Sequence, residues 1–478
     1  MGLNDSCITG VDSPDSLIID RPSMGVSMVP MTAQSDGSQR DLPTELTRLY
    51  FAGAWTEAER VCASLLARNP QDTVALVTSG ELALARGDST AARERLRRAF
   101  RLRFPDLDLL LRLIRLMTRA QDFEALETAT RILMAQLRRD PGNFNDWFVL
   151  AQASEGLGRI DEAIAAYERA CAIVPAHAGP HTLRAILLLR RAWGAPLPSP
   201  PDKRQSPSTR GRIAMTALGQ MGRFGNQIFQ YGFMRLYGHI HHLQVEVPDW
   251  IGRWLFDLDD PHQSAPLPPV NETRELMGGL LRENSLPQLA NYDLWGHLQC
   301  HTSYFRPHQA LFRALFRPGA RLQPSLDRAM ARLREHGRTL VAIHLRRGDY
   351  RGGEYFWPAP SSWYLGWLRA VWPELEEPLL YIASDDPSVH REFADFSPIT
   401  AGDLGVTLPG AEMYPDFHIM AQADVLAISN SSFSVAAALL NEHARFCMRP
   451  APHEHRLVPF DPWNTDVLLS ATRPAVKT

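Results

Sequence analysis

The chain reads as a helical solenoid followed by an α/β unit built on parallel sheets, and three observations carry that reading. Between about residues 41 and 193, Ala58, Ala92, Ala125 and Ala163 stand 34, 33 and 38 residues apart, a period that fits a pair of packed helices. A stretch dense in Pro and Ser, GAPLPSPPDKRQSPSTR over residues 194–210, then breaks the pattern. Beyond it, four times, an aliphatic or β-branched run leads into a polar or glycine-rich loop and then into a helical pattern, as parallel sheets flanked by helices require.

Residues 1 to about 40 are rich in Ser, Asp, Pro, Gly and Met without sustained periodicity. They bury too little apolar surface to offset the entropy of ordering, so disorder is expected there. The helical region is clearest from Asn143 to Pro175, where Trp147, Leu150, Ala151, Gly158, Ala163, Tyr167, Ala170 and Pro175 fall at fixed offsets. This segment resembles the tetratricopeptide (TPR) repeat. Small Ala163 and Ala170 let the two helices approach, Trp147 and Tyr167 fill the space between them, and Pro175 closes the unit. Four repeats, the third lengthened, are expected. Their concave side is expected to take a protein or peptide; the plainer reading is that they stack on the second domain and help it dimerise. The Pro/Ser-rich stretch is expected to be a linker.

The 478 residues are 45% hydrophobic and 22% charged, which supports more than one core. A net charge of −3 speaks against a nucleic-acid partner, since such proteins gather surplus Lys and Arg on one face. Five scattered cysteines with no C-x-x-C pair point to a reducing compartment. No run approaches the roughly 18 apolar residues of a spanning helix. A cytoplasmic protein is expected, compatible with peripheral attachment at the inner face of a membrane.

In the second half, Arg212–Ala217, Thr339–Leu345, Leu379–Ala383 and Val425–Ser429 open the four strand–loop–helix units, and chemistry-bearing residues sit on the loops that follow. In TLVAIHLRRGDY a buried strand runs into Arg346, Arg347, Gly348 and Asp349. A guanidinium there grips phosphate oxygens with two parallel bonds, Arg346 first; an internal ion pair to Asp349 is the plainer alternative. GQMGRFGNQIFQY, residues 219–231, places glycines and Arg223 before a helix whose N-terminus favours anions. Ser384, Asp385 and Asp386 follow a third strand, where carboxylates accept from a guanine edge or ribose, or merely cap a helix. Asn430, Ser431, Ser432, Phe433 and Ser434 join the fourth strand to an Ala-rich helix, a second phosphate cradle or an ordinary N-cap. The Asp257-x-Asp259 pair beside Asp260 lacks the strand context of a metal-binding D-x-D.

Together these segments resemble the fucosyltransferase superfamily, which includes the α1,2-fucosyltransferases of glycosyltransferase family 11, the α1,6-fucosyltransferases and the protein O-fucosyltransferases. The resemblance rests on H-x-R-R-G-D-Y (His344, Arg346, Arg347, Gly348, Asp349, Tyr350) and G-x-x-G-N-Q (Gly222, Gly225, Asn226, Gln227), over about Arg212–Arg449. It implies a GT-B-like domain from 211 to 478 with two Rossmann-like lobes, about 211–337 and 338–450. It further implies GDP-fucose as donor substrate, no cofactor and no metal, and a glycan acceptor such as a surface-polysaccharide precursor. By the same resemblance Arg346 binds the diphosphate with Asn226 close to it, and Ser432 and Ser434 stand on the phosphates. His344 and one of Asp385 or Asp386 hold guanine, and Arg223, Arg347, Ser384, Ser431 and Phe433 complete the donor site. Inversion at the anomeric carbon needs a base; Glu354 stands where the α1,6 enzymes have theirs, with Asp349 in reserve. The GRFGNQ wording is closer to the protein O-fucosyltransferases, and Val435 and Ala436 replace the aromatics usual in α1,2 enzymes. A TPR-guided protein O-glycosyltransferase and an inactive TPR scaffold are the rival readings.

Overall fold

A computed structural model describes residues 42–102, 107–206, 210–272, 280–281, 289–350 and 354–472. The N-terminal stretch expected to be disordered lies outside these. Among the described residues, the helical region comprises α1 (Leu42–Phe51), α2 (Trp55–Arg68), α3 (Thr73–Ala85), α4 (Ser89–Phe100), α5 (Leu107–Arg119), α6 (Phe123–Leu137), α7 (Phe144–Gly156), α8 (Ile160–Ile173) and α9 (Ala178–Trp193). Asp72, Asp88, Asp122 and Asn143 start α3, α4, α6 and α7, each side chain accepting from the amide three residues on, the usual way to satisfy an otherwise orphaned donor. Ala58, Ala92, Ala125 and Ala163 all fall on the second helix of a pair and are buried, so small side chains stand where helices pack closest. The helices thus form four pairs followed by a ninth helix.

Two sheets follow. β1 (Arg212–Ala214), β2 (Gln244–Glu246), β3 (Pro269–Asn271) and β4 (Asp293–Trp295) form a parallel sheet in the order β2-β1-β4-β3. β5 (Thr339–Leu345), β6 (Pro378–Ser384), β7 (Val425–Ala427), β8 (Phe446–Ala451) and β9 (Arg456–Pro459) form the second, in the order β6-β5-β7-β8-β9, parallel except for β9. All four expected strands are present, three of them leading into α-helices and β6 into a 3-10 helix, Val389–Phe396. Between and around the strands run α10 (Phe224–His241), α11 (Gly252–Leu255), α12 (Gln309–Leu315), α13 (Gln323–Arg334), α14 (Ser361–Val371), α15 (Tyr414–Ala421) and α16 (Ser432–Leu440). β5 is buried along its whole length, as a central parallel strand covered on both faces should be.

The Pro/Ser-rich stretch differs from the loose linker expected of it. Lys203 is 3% exposed, and its ammonium donates to the Phe256 and Arg317 carbonyls at 2.6 and 2.8 Å. Gln205 bonds the Val245 backbone and Asp260, while the Trp254 indole donates to Gly194 O at 2.9 Å. Proline restricts the chain, but buried polar anchors fix it in place, so residues 194–206 act as a strap. The helix before the strap is shared: Leu187 and Leu188 of α9 pack in the core of the helical array, whereas Ile186 and Leu189 pack in a core to which strands of both sheets contribute. Leu42–Thr478 accordingly form one compact unit.

Candidate active site

The site begins with two helices that meet end to end. α10 follows the glycine loop after β1, and α16 follows the Asn-Ser-Ser loop after β7. Gly225, in the first turn of α10, lies against the start of α16 so closely that a Cβ there would stand 2.6 Å from Phe433 Cα. Only glycine permits that approach, and the motif's other glycine, Gly222, has φ +82° and closes the loop onto the Asn226 side chain. Neither helix is capped by a side chain: Arg223 and Ser431 occupy the N-cap positions and make no cap bond. First-turn amides of both helices, Phe224, Gly225, Ser432 and Phe433 among them, are therefore left to a ligand, and the positive ends of two helix dipoles converge on one place.

Asn226 joins the two halves. Its Oδ1 accepts from Ser432 Oγ at 2.6 Å and from Gln299 Nε2 at 2.7 Å. Arg346, at the end of β5, stands in the same cleft. Asp349 Oδ1 takes its Nε and Nη2 at 2.9 and 2.7 Å, and Asp385 Oδ2 takes Nη1 at 3.0 Å. The Tyr350 ring lies 5.6 Å from the guanidinium carbon. The ion pair weighed as the plainer alternative thus exists, yet it uses three of the five N–H donors of a guanidinium and holds the plane of the group still. Asp385 also accepts from the Arg347 amide at 2.7 Å. His344, beneath Arg346, is buried; its Nδ1 lies 2.7 Å from Ser429 Oγ and its ring 5.2 Å from that of Phe433. Burial, and then the Arg346 and Arg347 charges, push its pKa down from 6.5 to about 3, so the ring is neutral at ordinary pH.

These residues line a cleft of about 650 Å³ at the carboxyl ends of strands from both sheets, where open α/β folds place their ligands. Of the site residues expected from sequence, Arg223, Asn226, His344, Arg346, Asp349, Ser384, Asp385, Ser431, Ser432 and Phe433 line it. Four do not. Arg347 turns its guanidinium to Ser361 Oγ at 3.0 Å, because successive side chains at a strand end leave on opposite faces. Asp386 accepts from the amide and hydroxyl of Ser388 and closes a turn. Ser434 is buried and bonds the carbonyls of Ser429 and Ser431, an intrahelical back-bond that keeps it from the opening. The Glu354 carboxylate accepts from Ser470 Oγ at 3.1 Å on the C-terminal segment, outside the cleft lining. Asp260, beside the discounted Asp257-x-Asp259, accepts from Tyr231 and Arg235 in the core.

Sequence reading missed several parts of the cleft, Gln299 and Phe356 among them, and two of these shape its character most. One is Asp416 in α15, which accepts from the Tyr381 hydroxyl; burial lifts its carboxyl from 3.8 to about 6. The signal was slight, a single acid among Tyr414, Phe417, Ile419 and Met420. The other is α9: His181, Thr182, Arg184 and Ala185 line the cleft, so the helical array supplies one of its walls. The close approach of Gly410 to this helix, with a Cβ there 3.0 Å from Leu188 Cβ, helps seat it, and Gln227 bonds Thr182 Oγ1 at 3.2 Å. No local pattern could have announced that contact.

Residues 144–177 match the sequence model of the tetratricopeptide repeat. No curated protein sequence matches the chain. Among solved structures it is similar to MamA from Desulfovibrio magneticus RS-1, at 18% identity over 33% of this chain and 89% of that one, with a TM-score of 0.24. It is also similar to a NodZ α-1,6-fucosyltransferase co-crystallised with GDP, at 13% identity over 53% of this chain and 99% of that one, with a TM-score of 0.36. Among the described residues no helix is long and apolar enough to cross a membrane.

Proposed function

We propose that the chain is an inverting glycosyltransferase that moves a sugar, fucose in the first place, from a GDP donor to an acceptor hydroxyl, its two sheets acting as the lobes of a GT-B-like domain. The observation that carries this is the meeting of two uncapped helix N-termini beside a clamped arginine. A diphosphate fits there: the first-turn amides of α10 and α16 take its oxygens, and the two remaining Arg346 N–H donors add charge. As the bond between the anomeric carbon and the diphosphate breaks, its electron pair leaves with GDP, and these same donors stabilise the growing charge.

Asp385 is committed to Arg346 and Asp386 to its own turn. The guanine edge is assigned to Asp416, whose Oδ1 takes the Tyr381 hydroxyl and whose Oδ2 is left to accept from an N–H donor of that base. For the acceptor proton, Asp349 replaces Glu354 as candidate base: it lines the cleft beside Arg346, and its Oδ1 alone carries the arginine bonds, leaving Oδ2 for the hydroxyl.

Calorimetry with GDP, GDP-fucose, GDP-mannose and UDP tests the reading. Guanosine ligands are expected to bind in preference to UDP, with or without EDTA. Arg346→Ala is expected to weaken GDP between about tenfold and 100-fold, the range of one or two charge-assisted bonds. Preference for UDP, or an unchanged GDP affinity in the variant, would overturn the assignment.

A further inference from the structure

Three basic side chains gather where the helical array meets the glycine loop. His181 and Arg184 come from one turn of α9, and Arg223 from the start of α10; all three line the cleft. They are near enough to act on one another: burial first, then the Arg223 charge and, further down, that of Arg184 lower the proton affinity of His181. Glu168 answers only part of this group, taking Nε and Nη2 of Arg184 at 3.1 and 2.8 Å through one oxygen. The Pro175 carbonyl takes one Arg223 N–H at 2.7 Å and lies 3.1 Å from His181 Nε2. The diphosphate already has Arg346 and two helix ends, so a second basic group in the same cleft has another anion to read.

The cleft also holds an exposed aromatic. Phe356 is 54% exposed, and its ring meets that of Tyr350, beneath Arg346, edge to face at 5.4 Å. A phenyl ring left half exposed at the cleft is a platform for the C–H face of a sugar ring, since both surfaces are apolar and flat.

We infer that the acceptor is an acidic saccharide, stacked on Phe356 and recognised through its carboxylate or phosphate by Arg184 of the array's last helix. This rests on the glycosyltransferase reading and adds the class of acceptor. It also gives the array a direct task in the reaction: its terminal helix is a specificity wall of the site.

The full chain, with GDP present, is titrated with a hyaluronan hexasaccharide, a phosphorylated mannose oligosaccharide, neutral chitohexaose and a hexaglutamate peptide. One acidic saccharide is expected to bind well ahead of chitohexaose and to weaken as salt rises, since exposed charges are screened within about 8–10 Å. Arg184→Gln and Phe356→Ala are each expected to lower that affinity about tenfold while leaving GDP affinity and melting temperature unchanged. Equal binding of chitohexaose, or indifference to Arg184→Gln, overturns the inference. So does preference for hexaglutamate, which would make the wall a polypeptide reader. If GDP binds and no saccharide does, the acceptor inference fails and the donor reading stands; if GDP itself does not bind, both fail.

Discussion

Asp416 and His344 have opposite electrostatic histories within one cleft. Burial lifts the Asp416 carboxyl to about 6, above its ordinary 3.8, so the fold disfavours the ionised form. The penalty is absent below pH 3.8, grows as pH rises, and is complete above about 6. Asp416→Asn removes it, and is expected to raise stability at pH 7 by up to about 3 kcal/mol. The same variant loses the carboxylate proposed to accept from guanine, so GDP affinity is expected to fall, along with its rise between about pH 5 and 7. Parallel denaturant titrations and calorimetry check this; a variant less stable yet fully able to bind GDP would remove Asp416 from the site. His344 works the other way. Its pKa is depressed from 6.5 to about 3, so the stability it confers is complete above 6.5 and is lost as pH falls toward 3. His344→Phe is expected to flatten that acid limb of stability, read from denaturation midpoints between pH 4 and 7. An unaltered limb would mean the ring is protonated in the fold.

At the scale of elements, the meeting of α10 with α16 rests on Gly225. An alanine there pushes against the Phe433 backbone, which has no flexible end to yield. Gly225→Ala is expected to cost about 1–3 kcal/mol, the range for overpacking, and to part the two helix starts so that GDP binding falls more than stability alone explains. Stabilising additives that restore the melting temperature should leave the binding deficit in place; full recovery would show the convergence is structural only. The strap of residues 194–206 teaches a related lesson. Its composition is that of a loose tether, yet Lys203, Gln205 and Gly194 each find a buried partner. Proline content reports the chain's local stiffness and lost donors; whether a strap is seated depends on acceptors elsewhere in the fold, here Phe256, Arg317 and Val245.

Over the whole molecule, the array and the α/β part share α9. Ile186 and Leu189 are 2% and 0% exposed within the sheet core, so cutting the chain after the array removes part of that core. A chain starting at residue 195 is expected to lose cooperative unfolding and GDP binding, while one starting at residue 176 keeps both, read by near-ultraviolet dichroism and calorimetry. Cooperative unfolding of the shorter chain would show that α9 is dispensable to the α/β core. Arg190, which pairs with Glu155 on the array side and Asp249 on the sheet side, adds a polar tie across the same junction.

The helical pairs, the four strands that open the α/β units and about half of the cleft lining were legible in the chain because each is specified locally. Alanine spacing marks where helices touch, buried aliphatic runs mark parallel strands, and glycines before Asn226 mark a backbone that must come close to something. An ion pair of Asp349 with Arg346 or Arg347 was legible from their spacing, whereas the choice of Arg346, and Asp385 as the second clamp, required β6 to lie beside β5. What the residues after a strand point at was not local: Arg347, Asp386 and Ser434 sit in the right motifs and face elsewhere, because side-chain direction follows strand and helix geometry. Asp416 and the α9 wall came into the cleft only through packing of elements far apart in sequence. Their functional character is a matter of neighbours: burial against Tyr381 in one case, the close seating of α9 against the α/β part in the other.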